Sequence, residues 1–151
     1  MVINWQGDNP LMPRMFAELM AQTYKVYAER GVDFDIITPY IYFNQNDSKA
    51  LLEKRKNDIV GGTTVVTDTS SNALYFSKEV LPHISDINNI FSTPVKYHVG
   101  AYCYKPAALF EYALLAQTPL EKEEGLEQLR YVENGMKVKC IPMPYTGKIY
   151  N

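Results

Sequence analysis

The sequence predicts an α/β domain on a mixed, mostly parallel sheet that carries one β-hairpin. Three observations lead there. Strand-like and helix-like stretches alternate near both ends of the 151 residues, the pattern that packs helices onto a sheet. Phe16, Leu19, Met20, Tyr24 and Tyr27 recur at helical spacing. Residues 63–67 and 73–77 are β-branched or apolar runs that flank the polar stretch 68–72, a hairpin signature.

Taken in order, residues 2–5 read as a short apolar strand, followed by a loop to residue 12 that contains Gly7 and Pro10. Pro13 suits a first helical turn, where its missing N–H costs nothing, and Gly31 closes that helix. Residues 34–43 are dense in β-branched and aromatic side chains and read as a strand. Pro39 inside it cannot donate to a ladder, which points to a bulge or an edge position. Asp47 or Ser48 is placed to cap a helix reaching about Lys56, with Leu51 and Leu52 inward. Gly61 and Gly62 break the chain before the hairpin. Residues 79–94 are irregular and polar and suit a mobile or partner-binding loop. Residues 95–104 read as a strand, and Pro106 starts a helix containing Leu109, Phe110, Tyr112, Ala113 and Leu114. Residues 120–133 form the next helix, ended by Gly135, and residues 137–143 the last strand.

A length of 151 residues fits one domain with a real core. Hydrophobic content of 46% and charged content of 21% are ordinary for a soluble globular protein. The net charge of −2 leaves no basic footprint for nucleic acid and no polybasic membrane patch. No apolar run approaches the roughly 20 residues that span a bilayer. The opening residues lack the basic region and cleavage site of a signal peptide. Cys103 and Cys140 both sit in apolar runs, which reads as two reduced core thiols in a cytoplasmic protein; a disulfide or redox pair is the other reading. Two histidines and no CxxC argue against structural zinc. The 12 tyrosines fit core and sheet-face packing, with an interface or a sugar platform as the alternative.

Candidate chemistry lies in three places. Gln6-Gly7-Asp8 follows the first strand, where open α/β sheets bind ligands, and a carboxylate there can hold Mg²⁺ against phosphate oxygens. An ordinary turn gives the same pattern. Alternation puts His98, Gly100 and Tyr102 on one face of their strand and Tyr97, Val99 and Ala101 on the other. Such a face can line a polar pocket, or His98 can be a hydrogen-bonded sheet histidine. Glu121, Glu123, Glu124, Glu127, Gln128 and Arg130 share the predicted helix, with Glu123/Glu127 and Glu124/Gln128 four apart. That helix is either a solvated acidic face or a set of partners for sugar hydroxyls.

The order of these pieces resembles a known family. Val2-Ile3-Asn4-Trp5-Gln6-Gly7-Asp8-Asn9-Pro10-Leu11-Met12-Pro13 is similar to V-N-x-Q-G-D-E-P-L-I-P, and Ala73-Leu74-Tyr75-Phe76-Ser77-Lys78 to A-L-Y-F-S-R. His98-Val99-Gly100-Ala101-Tyr102-Cys103-Tyr104 resembles H-x-G-I-Y-x-Y. Thr118-Pro119-Leu120-Glu121 and Leu126-Glu127-Gln128-Leu129-Arg130 resemble S-P-L-E and L-E-Q-L-R. This is the pattern of the 3-deoxy-manno-octulosonate cytidylyltransferase (CMP-Kdo synthetase) family, while residues 28–72 match only loosely.

The resemblance implies a nucleotide-diphospho-sugar transferase (Rossmann-like) fold and transfer of CMP from CTP to the sugar acid Kdo, with release of pyrophosphate, for lipopolysaccharide biosynthesis. By the same resemblance Asp8 is a Mg²⁺ ligand and a catalytic residue, and Gln6 contacts the substrates. His98, Tyr102, Glu127 and Gln128 line the Kdo pocket, and Lys78 replaces a catalytic arginine. A homodimer is implied, with the hairpin contributing. The family's basic loop of the type A-R-x-x-S-x-R-L-P-G-K-P, which cradles CTP phosphates, has no counterpart here, so residues 1–151 read as a single, N-terminally truncated, partial domain. Pro82-His83-Ile84-Ser85 lacks the arginine of the family's P-x-x-R, and Asn151 stands where the family places a second metal-binding Asp. These departures leave three expectations: an enzyme whose nucleotide-binding half lies on a separate chain or upstream, a non-catalytic sugar-acid-binding or interaction module, and a cytidylyltransferase for another sugar acid.

Overall fold

The computed structural model describes residues 1–5, 12–57, 59, 61–86 and 95–144. Strand β1 (Val2–Trp5) precedes helix α1 (Arg14–Glu29), which has Pro13 at its N-cap with φ of −60° and buries Phe16 and Met20. Strand β2 (Ile36–Tyr42) leads to α2 (Gln45–Lys56), whose cap is Asn44 rather than Asp47 or Ser48. Asn44 accepts from the Asp47 N–H at 3.0 Å, and the Asp47 carboxylate accepts from the Asn44 N–H at 3.4 Å. This reciprocal box satisfies two donors that a helix start leaves open. The hairpin is present as β3 (Thr63–Thr67) and β4 (Ala73–Ser77). Then come β5 (Lys96–His98), β6 (Ala101–Tyr104), α3 (Pro106–Leu114), α4 (Pro119–Glu124), α5 (Gln128–Glu133) and β7 (Val138–Pro142).

The expectation of a mostly parallel sheet is wrong. Among the described pairings only β2–β7 is parallel; β1–β6, β2–β5, β2–β6, β3–β4 and β3–β5 are antiparallel. The reason lies in adjacency. A crossover helix lets two strands run the same way but does not make them neighbours. β1 and β2, joined through α1, do run the same way, yet β6 lies between them and opposes both.

The strand read over residues 95–104 is broken. Between Tyr40↔His98 and Ile37↔Cys103, two residues of β2 oppose residues 99–102 of the partner, so the ladder bulges. The bulge falls opposite Pro39, whose ring nitrogen has no hydrogen to donate, while its carbonyl accepts from the Val99 N–H at 3.0 Å. Pro39 therefore marks a bulge, one of its two expected meanings, within a strand paired on both edges.

Alternation along the strands sorts the core into two layers. Ile37, Ile41, Val99, Ala101, Cys103 and Ile141 pack with Phe16, Met20 and Leu51 of α1 and α2. On the other side Ile36, Tyr40, Tyr102, Tyr104, Val138 and Cys140 pack with Leu126, Leu129 and Tyr131. The hairpin curls over this second side, where Val65 and Phe76 join the cluster. Its turn reaches β7, with Asn72 bridging Lys139 and the Cys140 N–H donating to the Ser71 carbonyl at 2.8 Å. Both cysteines are buried free thiols.

The helix expected over residues 120–133 is two helices. Gly125 sits in the left-handed region at φ 62° and ψ 39° and turns the chain between α4 and α5. Glycine takes that conformation without the clash a Cβ would bring. Glu123 and Glu127, and Glu124 and Gln128, thus lie on opposite sides of a break and do not share one helical face.

Candidate functional site

The second sheet face carries a polar group in its middle. His98 ends β5 and is 5% exposed; Tyr102, on β6 beyond the bulge, is 1% exposed. Their rings lie 5.7 Å apart, and Phe76 from the hairpin meets His98 edge-on at 4.9 Å. The Thr38 hydroxyl joins His98 Nε2 at 2.8 Å and donates to the Ala101 carbonyl at 2.8 Å. Burial pushes the His98 pKa down to about 3, so the imidazole is neutral at ordinary pH. Burial first, and the Glu127 charge second, hold the Tyr102 phenol well above its usual value.

Helix α5 closes over this face. Its Tyr131 packs on Tyr102 with centroids 6.0 Å apart and exchanges a hydrogen bond with the Tyr104 hydroxyl at 2.7 Å. Glu127 is exposed at the α5 N-cap, whereas Gln128 in the first turn is 4% exposed. Among the described residues, neither the Gln128 amide, the Tyr102 hydroxyl nor His98 Nδ1 has a hydrogen-bond partner. Among the described residues the fully enclosed side-chain atoms without a partner are Asn72 Oδ1 and Thr118 Oγ1, so these three groups are not sealed and stay open to a polar ligand.

Lys78 follows β4 and is fixed through its backbone. Its N–H donates to Glu124 Oε2 at 2.9 Å, and its carbonyl accepts from the Arg55 guanidinium. Glu124 also accepts from the Ser77 hydroxyl at 2.7 Å and the Tyr75 hydroxyl at 3.2 Å, tying α4 to the hairpin. The Lys78 ammonium lies over Gly125, where a Cβ would come within 2.8 Å of Nζ. It makes no ion pair among the described residues. A cavity of about 470 Å³ opens beside this turn, lined by Gln117, Glu121, Lys122, Gly125, Glu127 and Arg130. Of the residues that the resemblance assigns to the site, Glu127 is the one among the described residues that lines it, joined by Glu121 and Arg130 of the acidic stretch.

Glu121 and Arg130 form a buried pair rather than part of a solvated face. Arg130 Nε donates to Glu121 Oε2 at 2.7 Å and Nη2 to Oε1, while the guanidinium stacks 4.7 Å over the Tyr112 ring. Arg130 thereby holds the Glu121 carboxyl below the usual carboxylate range.

Of the residues expected to act, His98 and Tyr102 meet directly, Glu127 acts on Tyr102 through its charge, and Lys78 sits at the turn that leads into Glu127 and Gln128. Gln6, Asp8 and Asn151 lie outside the described residues. Among the described residues no group of three or more His, Cys, Asp or Glu could hold a metal ion. The sequence reading passed over Thr38, Arg55 and the clamping role of Glu124. Thr38 left a signal, since a hydroxyl on the same face as Ile36 and Tyr40 interrupts an otherwise apolar strand.

The profile of a cytidylyltransferase family matches residues 1–138. The 3-deoxy-manno-octulosonate cytidylyltransferase of Maricaulis maris is 33% identical over 147 residues, covering 97% of this chain and 54% of that protein. The enzyme of the same name from Dichelobacter nodosus is 34% identical over 139 residues, covering 91% of this chain and 50% of its own. A solved structure of CMP:2-keto-3-deoxy-manno-octonic acid synthetase complexed with CTP superposes with a TM-score of 0.76 at 25% identity, over 97% of this chain and 54% of that one. The chain thus spans about half the length of the curated relatives it matches.

Proposed function

The chain belongs to the cytidylyltransferase family, and on that premise we propose that it binds the sugar acid Kdo for transfer of CMP from CTP. Pyrophosphate is the other product, and the activated sugar serves lipopolysaccharide biosynthesis. The observation that carries this reading is a set of side chains on one side of the sheet, His98, Tyr102 and Gln128, whose Nδ1, hydroxyl and amide make no hydrogen bond among the described residues, together with a Lys78 ammonium that makes no ion pair among them. Kdo is a polyhydroxy carboxylate. Its hydroxyls fit the three neutral groups and its carboxylate fits the lysine. The anomeric hydroxyl then attacks the α-phosphate in line, a reaction in which positioning and charge control do most of the work.

Gln6 and Asp8 follow β1 in the sequence, and by the resemblance Asp8 would hold a Mg²⁺ ion, which would supply neutralisation of the phosphate charge. Glu127 borders the cavity at the α4–α5 turn, in reach of solvent and ligand alike. The proposal includes a homodimer. It also places the protein in the cytoplasm, which two buried free thiols support. Among the described residues no helix is long and apolar enough to cross a membrane.

A second reading keeps the chemistry and changes the sugar acid. Lys78 favours it, because an ammonium is a point charge without the planar fork by which arginine grips a carboxylate. Calorimetric titration with Kdo and with sialic acids, alongside pyrophosphate release in CTP and Mg²⁺, tests both. Kdo binding that weakens in Gln128→Ala, with turnover lost in Asp8→Ala, supports the proposal. Binding of a sialic acid in preference to Kdo supports the second reading. Absence of binding to any sugar acid by the folded chain overturns both.

A further inference from the structure

We propose that Thr38 is a positioning residue that locks His98 in one tautomer, so that His98 meets the ligand as a hydrogen-bond acceptor through Nδ1. The bulge sets the geometry. Because residues 99–102 bow away from β2 opposite Thr38 and Pro39, the Thr38 side chain can stand between two groups of the partner strand. Thr38 Oγ1 lies 2.8 Å from His98 Nε2 and 2.8 Å from the Ala101 carbonyl. A hydroxyl has one hydrogen and two lone pairs. The carbonyl can only accept, so the hydrogen must go to Ala101; an unbonded contact of two oxygens at that distance would be repulsive. The hydroxyl is then left as an acceptor toward His98, and Nε2 must carry the imidazole hydrogen. In a neutral ring Nδ1 is therefore a bare lone pair.

Thr38 is 0% exposed and His98 5%, so water does not offer an easy alternative arrangement. The ring is held on its other sides by Phe76 and Tyr102. No described residue donates to Nδ1. The matching ligand group is an O–H donor such as a sugar hydroxyl. A ligand presenting an ether, a carbonyl or hydrogen at that point leaves the lone pair unpaired in a buried site, which is the condition under which enzymes reject deoxy analogues strongly. This inference rests on the sugar-acid reading above for the identity of the ligand, but not for the tautomer.

The experiment is ¹⁵N NMR of the imidazole nitrogens in the full chain, which has two histidines, so that a His83→Gln variant leaves His98 alone. Spectra are recorded for the chain otherwise wild type, for Thr38→Val and for Thr38→Ser, each with and without Kdo. The expected result is protonated Nε2 and bare Nδ1, with the Nδ1 resonance moving toward the hydrogen-bonded range when Kdo is added. Thr38→Val should mix the tautomers and weaken Kdo binding about tenfold, the loss of one hydrogen bond to a buried group. Thr38→Ser should restore both. If Thr38→Val fails to fold, the other spectra still decide. A proton on Nδ1 with Thr38 present overturns the proposal and leaves the sugar-acid reading standing. The stated tautomer with an Nδ1 signal unmoved by a sugar acid that calorimetry shows to be bound also overturns it, whereas failure of the folded chain to bind any sugar acid overturns the reading on which it rests.

Discussion

Replacing Arg130 with methionine tests the most buried ion pair among the described residues. The Glu121 side chain is 5% exposed and that of Arg130 16%, so the carboxylate depends on the guanidinium far more than the reverse. Arg130→Met keeps most of the volume over Tyr112 but removes both charged bonds, leaving Glu121 with the Thr118 N–H at 3.2 Å and a long contact from Gln117 at 3.5 Å. Stranding a buried charge in this way costs about 3–5 kcal/mol. For a domain of this size that corresponds to a fall in melting temperature of about 6–20 °C. Urea unfolding read by far-UV circular dichroism is the assay, with the midpoint falling and the m-value unchanged. The double variant Glu121→Leu/Arg130→Met removes the stranded charge as well and should recover much of the loss. The acid limb gives an independent check. The Glu121 carboxyl is depressed in the folded chain, so its stabilisation is present above the unfolded carboxylate pKa of about 4.3 and is lost as pH falls through the folded value. Arg130→Met should remove that dependence. A loss below about 1 kcal/mol would mean that the pair behaves like an exposed salt bridge, and the reasoning from burial would be refuted.

Three further outcomes follow from the same structure. Gly125→Ala should cost about 1–2 kcal/mol, because alanine is strained at φ 62°, and its Cβ would also displace the Lys78 ammonium, weakening Kdo binding; a melt and a titration read the two effects. Glu124→Ala strips acceptors from the Ser77 hydroxyl and the Lys78 N–H and should cost about 1.5–3 kcal/mol, with faster amide exchange at Lys78. His98, with its pKa depressed to about 3, stays unprotonated where an unfolded histidine takes a proton, so stability should be lost as pH falls from about 6.5 toward 3. His98→Gln should flatten that stretch of the stability curve, which a pH series of urea midpoints measures.

Much of the fold was legible because its determinants are local. The hairpin was announced by two β-prone runs around a turn, and α1 by its helical apolar spacing. The sheet's mostly antiparallel pairing was not legible, because it depends on β6 lying between β1 and β2, roughly a hundred residues from β1 in the chain. The break at Gly125 was visible as a glycine in a helical pattern but was outweighed by the leucines on either side. At the site, period-two alternation alone put His98 and Tyr102 on one face, and the structure agrees. It carried no information on which partner His98 would find, since Thr38 comes from a strand 60 residues away.

The bulge links these successes and failures. A continuous strand over residues 95–104 would have paired Ala101 with β2 in the ordinary way and left Thr38 facing a filled ladder. Pro39 prevents this, because it offers no N–H where the ladder would need one. The strand bows out, the Ala101 carbonyl turns to the Thr38 hydroxyl, and the same hydroxyl fixes His98. One residue that disturbs regular pairing thus creates the place where a buried imidazole can be both neutral and oriented. Thr38, Pro39 and His98 should therefore behave as one unit. Replacing Pro39 with valine would restore a donor and should change the His98 imidazole spectrum even though the ring's side-chain hydrogen bond is to Thr38 and not to Pro39. An unchanged spectrum would show that the Thr38–His98–Ala101 arrangement is fixed by side-chain packing rather than by the missing backbone donor.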